Sequence, residues 1–225
     1  MLDIPLPLSR RWLATLAAGF AALTASAWLL GPALHLLLTS APVQSLDLAA
    51  WRGAHALAVP AVLVAAGVSN DVHGTVGILV LGALAAWVWQ GRRRPDACVR
   101  LLIGLPAGML LNAVVKLLVD RVRPSWAVVD LPLSASFPSG HVAEATVFYG
   151  SLAIDAVRGK AKRLRQALCA GAAVGMIAIV AFSRIVVGVH FLSDCLGALV
   201  ESALWLAACF SGSPLARRAA AAEVR

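Results

Sequence analysis

Charge is what this sequence has least of. Only 13% of its 225 residues are charged, while 60% are hydrophobic; a soluble domain carries nearer a quarter charged. So little polar surface cannot cover a water-soluble globule, and the mean hydropathy of +0.85 makes the bilayer the expected solvent. Carboxylates are the scarcer sign, 11 Asp and Glu against 19 Lys and Arg, and they form no cluster suited to a divalent ion. Cys98, Cys169, Cys195 and Cys209 stand singly in apolar stretches without CxxC spacing. That argues against a zinc or redox motif and for small buried hydrophobes. Strand alternation, internal repeats and low-complexity tracts are lacking as well. The net charge of +8 would suit nucleic acid, but no basic stripe interleaved with aromatics is present. Nucleic acid is therefore excluded as an expected partner.

What the sequence does have is long apolar runs. Six are long enough to span, at 12–38, 72–90, 98–119, 141–157, 166–182 and 191–210. Backbone groups in lipid must be paired within the segment, which makes these helices. The stretch 46–68 is interrupted by Asp47, Arg52, His55 and Pro60. It reads as an interfacial or re-entrant helix pair, with a seventh span as the alternative. The expectation is an all-α polytopic membrane bundle of about six transmembrane helices plus that segment. It forms a single integral membrane domain over 1–225, with its core at 72–210.

Four basic clusters set the orientation. Arg10-Arg11 precede the first run, and Arg92–Arg94 follow the second. Arg158, Lys160, Lys162, Arg163 and Arg165 join the fourth to the fifth, and Arg217-Arg218 follow the last. With six spans all four fall on one side, which the positive-inside rule makes cytoplasmic. The tails 1–11 and 211–225 are then cytoplasmic, in the inner membrane of the cell. The first apolar run is longer than a signal-peptide core needs, so an uncleaved span is expected.

The loops facing the other way carry the chemistry. Lys116 and Arg123 are seven residues apart, two turns of a continuing helix, with Asp120 placed to pair with Lys116 and Pro124 to end the helix. Phe137-Pro138-Ser139-Gly140-His141 makes a tight turn into an apolar helix, where Ser139 is a good N-cap type. Such a helix start, with Gly140 permitting close approach, is a site for an anion. Beyond Ser183-Arg184 and Gly188, His190 and Asp194 stand four apart, close enough for the carboxylate to fix the imidazole tautomer. Each island alone also fits a plain reading: snorkelling cations, a capped helix, a surface His–Asp pair. Together, on the face depleted of positive charge, they suit holding a phosphate while a histidine attacks it. Asn112, Glu144 and Glu201 read as supporting polar groups. The unusually apolar loop 125–137 reads as a lip at the interface.

The three islands resemble the signature of the type 2 phosphatidic acid phosphatase superfamily. Its pattern is Lys, six residues, Arg-Pro; then Pro-Ser-Gly-His; then Ser-Arg, three residues, Gly, one residue, His, three residues, Asp. Lys116, Arg123, Pro124, Pro138, Ser139, Gly140, His141, Ser183, Arg184, Gly188, His190 and Asp194 meet every fixed position. The resemblance implies His190 as nucleophile, Asp194 as its orienting partner and His141 as general acid. It implies Lys116, Arg123, Ser139, Gly140 and Arg184 as phosphate-binding residues. The expected activity is hydrolysis of a terminal phosphate from a membrane lipid phosphate or diphosphate at the outer face, without metal or cofactor. A lipid phosphotransferase, or a non-catalytic binder of anionic lipid, is the alternative.

Overall fold

The computed structural model describes residues 9–158 and 162–211. Lys160, Arg217, Arg218 and most of the two expected tails lie outside these residues. The described chain is helical, in eight elements: α1 Arg10–Leu38, α2 Ala41–His55, α3 Pro60–His73, α4 Thr75–Gly91, α5 Pro95–Val119, α6 Gly140–Val157, α7 Arg163–Val186 and α8 Leu192–Phe210. Helices α1, α5, α7 and α8 are each long and apolar enough to cross a membrane. Helix α4 is apolar but has 17 residues, a length of about 26 Å. Helix α6 has 18 and carries His141, Glu144 and Asp155. The count of six read from the sequence needs both of these to cross.

The interrupted stretch is the helix pair α2–α3, bent by 116°. Val59 caps α3 in extended backbone and Pro60 occupies its first turn, where a missing N–H costs nothing. Gly74, also extended, separates α3 from α4. The helix expected as the second span therefore begins at Thr75, and Val72 belongs to the preceding helix.

Why the bundle holds is visible in its largest side chains. Trp12, Leu105, Leu111, Phe148, Trp205 and Phe210 form one buried cluster where α1, α5, α6 and α8 meet. The two indoles need partners in an apolar interior. Trp12 Nε1 donates to the Cys209 carbonyl at 2.8 Å, and Trp205 Nε1 to the Gly104 carbonyl at 2.7 Å. Large apolar side chains on the outside, such as Trp28, Leu36, Val76, Trp87 and Val174, are well exposed. Water would penalise that belt; lipid does not. Cys195 and Cys209 are buried, Cys98 and Cys169 half-buried, and all four are free thiols.

The ends of the bundle differ. At one end Asp155 of α6 takes Arg100 of α5 at 2.5 Å and Arg94 at 3.3 Å, and the Arg100 guanidinium lies 4.9 Å from the Phe210 ring centre. Lys116, sixteen residues along α5, stands about 24 Å away at the other end. There α3 walls the candidate site, and α2 packs against α7 and α8. We predict that Asp155→Ala, which takes that carboxylate from the buried Arg100, lowers stability by about 3–5 kcal/mol. Thermal unfolding in detergent should show the loss, with the site end unchanged in its ligand affinity.

Candidate active site

Helix α5 stops at Val119, where Asp120 adopts left-handed backbone (φ 46°) and its amide closes on the Lys116 carbonyl at 2.9 Å. Asp120 is exposed and makes no ion pair with Lys116. Pro124 lies five residues beyond Val119. Two sequence expectations are thereby corrected: Asp120 is the helix terminator, and Lys116 and Arg123 do not share one continuous helix. Beyond it the chain is extended, so alternate residues share a face. Val122 points out, 81% exposed, while Arg121 and Arg123 on either side of it turn inward.

The loop then brings the second island onto α8. The Phe137 ring packs where a Cβ on Gly197 would lie 2.2 Å from it, so only glycine there admits the loop. The Ser139 amide donates to the Asp194 carbonyl at 3.1 Å. Ser139 is fully buried and lies off the cavity, so its amide is not presented to a ligand. This corrects its expected placement: Ser139 fastens the turn, and Gly140 and His141 are what the turn presents.

The third island is shaped by Gly188. Its φ is +76°, and a Cβ would lie 3.1 Å from Ala127 Cα and 3.0 Å from the Trp126 ring. Both strain and space demand glycine. His190 follows, just ahead of α8, and Asp194 sits in the first turn of that helix. Their Nδ1 and Oδ2 are 3.4 Å apart. Asp194 also accepts from the Phe191 amide at 3.0 Å, from Arg121 at 2.6 Å and from the Ser136 hydroxyl.

Six of the expected site residues line one cavity of about 840 Å³: Lys116, Arg123, Gly140, His141, Arg184 and His190. Asp194 stands behind His190. The cations are held by neutral acceptors. Lys116 donates to the Ala135 carbonyl at 2.9 Å. Arg123 donates to the carbonyls of Ser134 and Val189 at 2.8 and 2.9 Å, and its guanidinium lies 3.3 Å from His190 Nε2. Arg184 donates to Asn70 Oδ1 at 2.6 Å and to the Ala66 carbonyl at 2.9 Å. His141 Nε2 is buried and finds no hydrogen-bond partner among the described residues. Glu144, one turn on, shares the cavity wall, and Asn112 reaches Glu201 at 2.9 Å.

Burial pushes the His190 imidazole down to about 4; the bond from Asp194 opposes this, and the charges of Lys116 and Arg123 add to it. The ring is therefore neutral at physiological pH, with Asp194 accepting from Nδ1–H and the Nε2 lone pair left on the side of Arg123 and the cavity. Burial also lowers Arg123, against the pull of Asp194. No group of three or more His, Cys, Asp or Glu among the described residues converges as a metal site. The cavity is built for a tetrahedral oxyanion facing an imidazole.

Sequence reasoning missed four contributors. Asn70 on α3 anchors Arg184, Asp47 on α2 and Arg121 hold each other at 2.9 Å, and Ser136 holds Asp194. The only signal was polarity in apolar surroundings: Asp47 and Asn70 interrupt apolar runs, and Arg121 stands two before the Arg123-Pro124 pair.

Comparison with known proteins agrees with this geometry. The model of the PAP2 superfamily matches residues 97–218. Phosphatidylglycerophosphatase B of Bacillus subtilis (strain 168) is 33% identical over 171 residues, 69% of this chain and 77% of the relative. A crystal structure of a transmembrane PAP2-type phosphatidylglycerolphosphate phosphatase from Bacillus subtilis superposes with a TM-score of 0.69 at 26% identity. It covers 82% of this chain and 93% of that one. This chain belongs to the PAP2 superfamily, the membrane-bound lipid phosphatases that its three motifs resemble.

Proposed function

We propose that this lipid phosphatase removes the terminal phosphate of a phospholipid monoester, phosphatidylglycerol phosphate first among candidates, through a phosphohistidine on His190. The observation that carries the mechanism is the buried His190–Asp194 pair opening onto a cavity with three cations. The substrate rests on the activity named for the 33%-identical relative.

In the first step the His190 Nε2 lone pair forms a bond to phosphorus, and the bond from phosphorus to the lipid oxygen breaks. The proton stays on Nδ1, and the Asp194 carboxylate accepts its hydrogen bond and stabilises the cationic ring. His141 gives its proton to the leaving oxygen, so the tail departs as a neutral alcohol. In the second step His141, now neutral, takes a proton from water as its oxygen attacks phosphorus. The P–N bond breaks, the electrons return to His190, and phosphate leaves. Lys116, Arg123, Arg184 and the Gly140 amide hold the phosphoryl oxygens throughout. Phosphoryl transfer is mostly positioning and charge stabilisation, and these fixed cations occupy the place where other enzymes use a divalent ion. The reaction is metal-independent on this reading.

Topology follows the same reading. Six helices span, both termini are cytoplasmic, the first span is retained and the site opens on the outer face of the inner membrane. The described residues form one domain. Support comes from the ends of the bundle: Arg11, Arg92, Arg93, Arg94, Arg158 and Arg163 cluster at helix ends remote from Lys116 and His141.

Three outcomes test this. His190→Ala, inserted and folded, should release no phosphate from any member of a lipid mono- and diphosphate panel. In the same assay the wild type should prefer phosphatidylglycerol phosphate and be indifferent to excess EDTA; turnover by the variant rejects the nucleophile. Arg123→Ala or Arg184→Ala each remove a charge-assisted phosphate contact worth about 1.5–3 kcal/mol. They should lower kcat/KM roughly ten- to a few-hundredfold. The limb of the kcat/KM profile that belongs to His190 should lie near pH 4, because the attacking form is the neutral ring and His190 protonates only below about 4. A limb near the ordinary imidazole value of 6.5 would show that the ring remains hydrated in the working enzyme.

A further inference from the structure

We propose that Arg121 is the positioning residue of the His190–Asp194 pair, and that through Asp47 it makes the α2 helix part of the active-site framework. The inference rests on the reading of His190 as nucleophile, and it concerns a residue at a variable position of the first motif, none of whose fixed positions it occupies.

The geometry is specific. Arg121 is 2% exposed and uses both terminal nitrogens. One donates to Asp194 Oδ1 at 2.6 Å and to the Ser193 hydroxyl at 2.7 Å. The other donates to Asp47 Oδ2 at 2.9 Å and to the Leu38 carbonyl at 2.7 Å. Its guanidinium lies 3.8 Å from the Phe191 ring centre. One side chain thus gathers the end of α1, the α2 helix, the loop after α5 and the start of α8. Asp47 completes the clasp, accepting from the Ser193 amide and hydroxyl at 2.8 and 2.7 Å.

The division of labour at Asp194 gives the clasp its meaning. Arg121 occupies Oδ1, which leaves Oδ2 for His190 Nδ1. Without Arg121 the carboxylate is held at Oδ2 alone, by the Phe191 amide and Ser136; its broad terminal torsion is then less constrained and the tautomer lock on the nucleophile loosens. Lysine offers one point charge and no planar fork, so it cannot reproduce four directed bonds. The charge of Arg121 is spent on two carboxylates, which distinguishes it from Arg123 two residues on.

The charged and titratable groups facing His190 set the sign of the pH test. They are Asp194 of α8, Lys116 of α5, Arg123 and Arg121 of the loop, His141 of α6 and Arg184 of α7, with Asp47 of α2 behind Arg121 and with Asp71 of α3, Asp130 of the loop and Glu144 of α6 elsewhere in the cavity lining. Removing Arg121 takes away a cation and frees the Asp194 charge. Both changes favour imidazolium, so the acid limb must move to higher pH.

The test compares Arg121→Gln, Arg121→Lys, Asp47→Asn and His190→Ala with the wild type on phosphatidylglycerol phosphate in mixed micelles. Arg121→Gln is expected to lose roughly ten- to a hundredfold in kcat, with KM little changed and the acid limb raised from near 4. Arg121→Lys should restore the limb but only part of kcat. Asp47→Asn, the variant least disturbing to folding, should lose about three- to tenfold in kcat at unchanged KM. Wild-type kcat in Arg121→Gln or in Asp47→Asn overturns the proposal. So does a loss in Arg121→Gln with the limb unmoved, since a smaller folded fraction scales a profile without shifting it. Activity in His190→Ala would instead overturn the nucleophile reading itself, and a dead His190→Ala beside unaffected Arg121 variants sinks the clasp alone.

Discussion

One carboxylate organises the site end of this molecule. Asp194 is fully buried and accepts from Arg121, Ser136, the Phe191 amide and His190, while its own carbonyl accepts from Ser139. A buried charge is tolerable only when its lone pairs are all engaged. Satisfying them draws the exit of α5, the turn into α6 and the start of α8 to one point. The catalytic geometry is therefore a by-product of solving a desolvation problem. The walls of the cavity are set by what Asp194 needs, and the cations arrive with those walls.

The arginines divide into two kinds. Arg121 and Arg100 face carboxylates and carry no free field into the cavity. Lys116, Arg123 and Arg184 are held by backbone carbonyls and an amide oxygen. Neutral acceptors orient a cation without cancelling it, so these three keep their field toward a cavity whose lining also carries Asp71, Asp130 and Glu144. A pocket lined by compensated ion pairs would have similar shape and no reason to attract phosphate. Lys116 and Arg123 also favour the neutral form of His190, the form that a nucleophilic role would need.

Most of the scaffold was legible in the sequence because hydropathy and motif spacing each report one strong constraint. Apolar runs located every long helix to within a few residues, and the islands named six residues that do line the cavity. What could not be read was direction. Spacing allowed Lys116 and Arg123 to share a helix, but Asp120 takes left-handed backbone and the approach is made by an extended loop instead. Ser139 has the residue type of an exposed cap, yet the packing of Phe137 and Asp194 turns it away from the cavity. Arg121 and Arg123 are alike in sequence, and only the third dimension assigns one to Asp194 and the other to the cavity. The α2–α3 pair had no motif at all, because its contribution is a few polar atoms offered from an ordinary apolar helix.

That pair also bears on why the substrate is an amphiphile. The cavity wall runs from Arg184 and Asn70 down past Leu63, Ala66 and Gly67 of α3, and faces Met109 and Ala113 of α5. The lining combines three cations with apolar groups, a combination suited to a molecule with a phosphate at one end and hydrocarbon beyond it. Because α3 supplies both the anchor of Arg184 and the apolar wall, the grip on phosphate and the accommodation of the tail are set by one helix. On the proposed reading, a shift of α3 relative to α7 would change both together. Lipid selectivity in this chain is then coupled to catalysis through the Asn70–Arg184 bond, and substitutions on the inner face of α3 act on both at once.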